Sequence, residues 1–128
     1  MIVHKLDDNA VKNFTTIDLA TVQEEPESLI GRFGFNQCQC GVASFVGSPP
    51  WELHLEGDEL LHILSGSCSL TIREEGTEES KILVKGDVAV IPKGCWHRTN
   101  AEKGVTMLYM TPQAGNEHSW GDPSDKTS

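Results

Sequence analysis

No stretch of the chain keeps apolar side chains at helical spacing over about eleven residues. What recurs is a short β-branched or alternating run closed by glycine, proline or an acidic turn. Val42-Ala43-Ser44-Phe45-Val46 lies between Gly41 and Gly47, and Ser48-Pro49-Pro50 makes a stiff turn into Trp51. Further runs are Ser67 to Arg73, Ile82-Leu83-Val84, Val88-Ala89-Val90-Ile91, Cys95 to Arg98 and Val105 to Met110. They are separated by Glu74 to Glu79, Lys85-Gly86-Asp87 and Pro92-Lys93-Gly94. About eight short strands joined by turns read as an all-β sandwich or barrel.

The two ends read differently from the middle. Thr15 to Val22 is a strand candidate, broken by Glu24-Glu25-Pro26-Glu27-Ser28. From Thr111 onward the chain is polar and rich in Gly, Pro and Ser, which reads as an extended or partly disordered tail. The expected organisation is one domain: an N-terminal strand or arm over 1–30, a barrel core over 31–111 and a polar tail over 112–128. A chain of 128 residues is long enough to bury roughly two-thirds of its unfolded surface in a single core.

The formal net charge of -9, with no basic run, argues against a nucleic-acid or anionic-membrane partner. No apolar run approaches the ~20 residues of a membrane span, and Met1 to Thr15 lacks the apolar core of a signal peptide. A cytoplasmic location is the expectation. Cys38, Cys40, Cys68 and Cys95 are then expected as reduced thiols. Cys38 and Cys40 share a strand face, but their one-residue spacing is tighter than that of the usual zinc-binding pairs.

The chemistry concentrates between Pro50 and Gly66, which reads as two strands around an acidic turn at Glu56-Gly57-Asp58. Alternation puts Glu52, His54 and Glu56 on one face of the first strand, and Trp51, Leu53 and Leu55 on the other. Glu59 opens the next strand. One imidazole and up to three carboxylates on one concave surface make a candidate metal site. Without an ion, clustered carboxylates repel one another and lose hydration. Glu52 pairing with an arginine such as Arg32 is the alternative. Glu56, beside Gly57, reads either as a solvated turn residue or as a third carboxylate or general base. His62, three residues after Glu59, falls on the opposite face.

Two segments resemble the motifs of the cupin family. Glu52-x-His54, four residues, Glu59, six residues and Gly66 is similar to the first, in which a His-x-His pair precedes the glutamate. Gly86, five residues, Pro92-x-Gly94, two residues and His97 is similar to the second. Glu52 stands where the family has its first histidine, Val46 where motif one has its leading glycine, and Ala101 where motif two has its closing asparagine. The resemblance implies a jelly-roll (double-stranded β-helix) barrel. It also implies a divalent metal, iron, zinc or manganese, held by Glu52, His54, Glu59 and His97. Dropping Glu52 leaves His54, Glu59 and His97, which resembles the facial triad of non-haem iron oxygenases.

The resemblance implies a metal-dependent enzyme of oxygenase or isomerase type acting on a small molecule, with Glu52 or Glu56 moving protons. A non-catalytic cupin that binds or senses a small ligand, with or without metal, is the competing expectation. Met107 and Tyr109, or else Leu108 and Met110, are expected to line the pocket. A homodimer built through an edge strand is expected from the family.

Overall fold

A computed structural model describes residues 1, 3, 15–16 and 29–123 of the chain. The strands are β1 (Thr15–Thr16), β2 (Leu29–Phe35), β3 (Cys38–Gly47), β4 (Trp51–His54) and β5 (Glu59–Glu74), then β6 (Thr77–Val84), β7 (Val88–Ile91), β8 (Trp96–Pro112) and β9 (Asn116–Ser119). Among the described residues there is no helix, and none is long and apolar enough to cross a membrane. The expected strand from Thr15 to Val22 shows as Thr15–Thr16, parallel to Phe45 and Val46 of β3, and its remainder lies outside the described residues.

Two long strands organise everything else. β5 and β8 pair antiparallel along almost their whole length, from Leu60 opposite Met110 to Arg73 opposite Trp96. Near one end of this ladder β3 adds to β8 and β7 to β5; near the other, β4 adds to β8 and β6 to β5. The result is two antiparallel layers sharing two bent strands: the all-β barrel of a jelly roll. Ala43, Phe45, Leu61, Ile63, Met107 and Tyr109 fill its interior, with Cys68, Leu70, Leu83 and Ile91 completing the core. The pocket face of β8 is therefore the one carrying Met107 and Tyr109. The four cysteines are free thiols.

The sequence reads each long strand as two separate runs; the structure carries each through as one bent strand. Glu59, Leu61 and Ile63 are buried in the first half of β5, whereas Cys68 and Leu70 are buried in the second. The buried parity flips across Gly66, where the pairing with β8 shifts between Ile63 and Ser65 and again between Gly66 and Ser69. A bulge that inserts residues swaps which face each later side chain takes. Gly66 has φ +75°, and a β-carbon there would sit 2.3 Å from the carbonyl oxygen of Gly104, itself at φ +102°. The close approach of these two glycines bends both strands from one layer into the other.

The C-terminal segment also differs from the expected tail. Asn116–Ser119 forms β9 and pairs along all of β4, Trp51 opposite Ser119 and His54 opposite Asn116. Its polar composition hid it, because β9 is an edge strand with three exposed residues.

Candidate metal centre

β4 is four residues long: Trp51 turns to one side, where Arg73 stacks over its ring at 4.3 Å, and Glu52 and His54 turn toward the barrel interior. Glu52 stands directly opposite His97 of β8. Glu59 begins β5 and enters the same space, buried like His54 and His97. Glu52, His54, Glu59 and His97 each bring one nitrogen or oxygen atom into a group whose members all lie within 4.8 Å of one another.

The four contacts are tight and cross-linked. His97 Nε2 lies 3.1 Å from Glu59 Oε1 and 3.6 Å from Glu52 Oε2. His54 Nε2 lies 3.3 Å from Glu52 Oε2 and 3.5 Å from Glu59 Oε2. The two rings are 5.0 Å apart and tilted by 45°. Each is anchored from behind: His97 Nδ1 donates to the carbonyl of Cys95 at 3.2 Å, and His54 Nδ1 to Asn116 Oδ1 at 2.8 Å. With Nδ1 occupied as donor, Nε2 is the atom each ring offers to a ligand. The hydroxyl of Thr111 donates to Glu59 Oε2 and fixes that carboxylate.

Burial by itself would raise both carboxyl groups, but the two imidazoles override it, holding Glu52 at about 2 and Glu59 below its usual range. Burial would also lower both histidines; the facing carboxylates reverse that, raising His54 to about 10 and His97 to about 9. At neutral pH the metal-free cluster is therefore two imidazolium and two carboxylate groups, with no net charge. A divalent ion that displaces the two Nε2 protons leaves the net charge of the quartet unchanged.

The residues fit such an ion. His54 Nε2 is fully buried yet makes no hydrogen bond of good geometry, although two carboxylate oxygens lie close by. Two imidazoles and two carboxylates form a mixed N/O donor set suited to iron, manganese or zinc. Glu52 differs from its partners: its side chain is 39% exposed, against 5% for His54. It is the member of the quartet that meets the cavity.

That cavity has a volume of about 450 Å³. Ala43, Phe45, Leu61, Met107 and Tyr109 supply its apolar lining, and the exposed residues Gln113, Glu117 and His118 line it on the solvent side. Arg98 contributes to the wall near Pro49, whose carbonyl accepts from its Nε at 3.0 Å. Arg73 is engaged elsewhere, with Glu78 and Asp122.

Glu56 is a correction. β4 ends at His54, so the alternation that was to carry Glu56 onto the face of Glu52 stops two residues short. Glu56 is exposed, and its Cγ occupies the space where a β-carbon of residue 115 would be, 2.6 Å away. It belongs neither to the quartet nor to the cavity lining. The alternative of Glu52 pairing with Arg32 falls on a side chain outside the described ones. Asn116 and Thr111 were not foreseen, since they lie where a tail was expected.

Comparison with known proteins agrees with this architecture. The family described as Cupin domain matches residues 46–112. An uncharacterised protein of Bacillus subtilis, YdbB, is 33% identical over 60 residues, covering 47% of this chain and 50% of that one. The chain thus spans half the length of the curated relative it matches. Among solved structures, protein NMB1881 of Neisseria meningitidis aligns with a TM-score of 0.60 at 19% identity, over 88% of this chain and 99% of that one. Oxalate decarboxylase of Bacillus subtilis, a protein with Mn(II) centres, aligns with a TM-score of 0.58 at 13% identity. That match covers 65% of this chain and 24% of the decarboxylase. At such identities the structural likeness speaks for the fold.

Proposed function

The chain belongs to the cupin family, and on that premise we propose that it is a metal-dependent enzyme of oxygenase or isomerase type acting on a small organic molecule. One observation carries the reading: a buried His54–Glu59–His97 cluster, with both Nε2 atoms turned inward among carboxylate oxygens, opens through Glu52 onto a largely apolar cavity of about 450 Å³. The size and lining suit a small organic acid, enol or aromatic compound. A divalent ion bound there supplies Lewis acidity toward substrate oxygens. The Mn(II) centres of the decarboxylase add weight to manganese among iron, zinc and manganese.

The protein's own groups divide the remaining work. His54, Glu59 and His97 are held by Asn116, Thr111 and the Cys95 carbonyl, and so supply a fixed donor set. Glu52, more exposed and bonded only within the quartet, is the ionised carboxylate placed to accept a proton from a substrate in the cavity. Met107, Tyr109 and Phe45 exclude water from the apolar side.

Elemental analysis of untagged protein, beside Glu52→Ala and His54→Ala, tests the proposal. Metal retained in the Glu52 variant and lost in the His54 variant supports a three-residue donor set with Glu52 as acid–base group. Metal lost in both supports Glu52 as a fourth ligand. A second reading rests on the neutrality of the quartet, which closes on itself at 3.1–3.6 Å: a non-catalytic cupin that binds a small ligand without metal. A parent protein that takes up none of the three metals on loading favours that second reading. A homodimer is also proposed, supported by the edge strands β6 and β7 and by exposed Ile82, Val84, Val88 and Val90 on them. Light scattering that gives the 14.0 kDa of a single chain overturns it.

A further inference from the structure

We propose that Asn116, carried on the C-terminal strap, is a positioning residue for the metal centre, acting through His54. The inference rests on the metal-binding reading above. It starts from the orientation of one amide. Asn116 Nδ2 donates to the carbonyl of Pro112 at 2.7 Å, and a carbonyl can only accept. The amide oxygen must therefore face His54 Nδ1, at 2.8 Å, and that nitrogen must carry a hydrogen. Nε2 of His54 is thereby assigned to the quartet, and the plane of the ring is set.

The contact is not incidental to a loose end. Asn116 is the direct cross-strand partner of His54. Before it, Leu55 N–H donates to the Gly115 carbonyl at 3.1 Å and Gln113 N–H to the Gln37 carbonyl at 3.0 Å. Gly115, at φ +73°, leaves the space that Glu56 fills. Beyond it, Ser119 Oγ donates to the Gly121 carbonyl at 2.9 Å, and Arg73 grips Asp122 while stacking on Trp51, the neighbour of Glu52. The strap is pinned on both sides of Asn116.

The two histidines are thus held in different ways. His97 leans on a carbonyl two residues earlier, which any sequence supplies; His54 leans on a side chain 62 positions later. Partners of this kind typically contribute about 10- to 100-fold to metal affinity.

The test uses the full chain and zinc. Dissociation constants are measured by chelator competition for wild type, Asn116→Ala, Asn116→Asp and Ser119→Ala, with nitrogen-15 imidazole spectra of the metal-free and zinc-loaded proteins. We expect Asn116→Ala to weaken zinc binding by about 10- to 100-fold and to lose the hydrogen-bonded Nδ1–H signal of His54, that of His97 staying in place. Asn116→Asp keeps an acceptor for Nδ1 but loses the donor to the Pro112 carbonyl, so it is expected to bind zinc between Asn116→Ala and wild type. Ser119→Ala, which removes a hydrogen bond beyond Asn116 without touching His54, should bind zinc normally. Normal affinity and an intact His54 signal in Asn116→Ala overturn the proposal, as does an equal loss in Ser119→Ala. Should Asn116→Ala fail to fold, an Asn116→Asp protein that lacks the hydrogen-bonded Nδ1–H signal of His54 yet binds zinc like wild type also overturns it. Wild type that binds no zinc, iron or manganese overturns the metal reading itself, and its metal-free spectrum still shows whether Asn116 orients the ring.

Discussion

Loading the centre with a divalent ion should release close to two protons, and the pH at which it does so tests the electrostatics of the quartet. In the metal-free protein both imidazoles face two carboxylates, which raise His54 to about 10 and His97 to about 9. At pH 8 groups with those values carry together about 1.9 protons, whereas two ordinary histidines near 6.5 would carry about 0.06. Glu52, held at about 2, and Glu59, held below its usual range, release none. Manganese(II) is the ion to use, because water on zinc can itself lose a proton near pH 7. Titration calorimetry at pH 8, in two buffers of different ionisation enthalpy, counts the protons directly. About 1.9 per ion is expected, with the apparent dissociation constant falling about 100-fold per pH unit between 7 and 8. Release of less than half a proton would refute the argument that the carboxylates dominate over burial at these two rings.

The same groups set the pH dependence of the metal-free protein. Raised histidines contribute stability in full below about 6.5, and it is lost as pH climbs through about 9 and then about 10. Denaturant unfolding in chelator should therefore show stability falling between pH 7 and 10, and a flat or rising profile would contradict the ion pairing. Gly66→Ala forces a β-carbon to 2.3 Å from the Gly104 carbonyl at φ +75°, and is expected to cost about 3 kcal/mol or more by thermal unfolding. Gly41→Ala places its β-carbon 2.7 Å from the Tyr109 hydroxyl. It should cost about 1–3 kcal/mol and tilt that ring into the cavity, read as a changed tyrosine environment. Glu56→Gln should leave metal content unchanged and stability within about 0.5 kcal/mol, since Glu56 is exposed and outside the quartet.

The strands were legible because a strand's period of two is local. Trp51 to His54 alternates in the sequence, and the structure puts Trp51 on one face and Glu52 with His54 on the other. The family motifs then set Glu59 and His97 beside them, and the structure brings all four within 4.8 Å. The same local rule failed at Glu56, because nothing in the alternation says where β4 stops; the backbone bends away after His54.

The existence and type of most elements, the single barrel and the identity of the clustered residues were determined by the sequence alone, through alternation, turn residues and motif spacing. Tertiary structure decided whatever depends on two distant segments meeting. Gly66 reads as a strand end until Gly104 comes to 2.3 Å of its missing β-carbon and turns both positions into a bend between layers. Asn116 reads as tail until β9 registers it against His54. Glu52 reads as a lone acid in place of a histidine until His54 and His97 close on it from two strands and hold it ionised. Local conformation is encoded within a few residues, whereas register, burial and charge pairing are properties of contacts that exist only once the chain has closed.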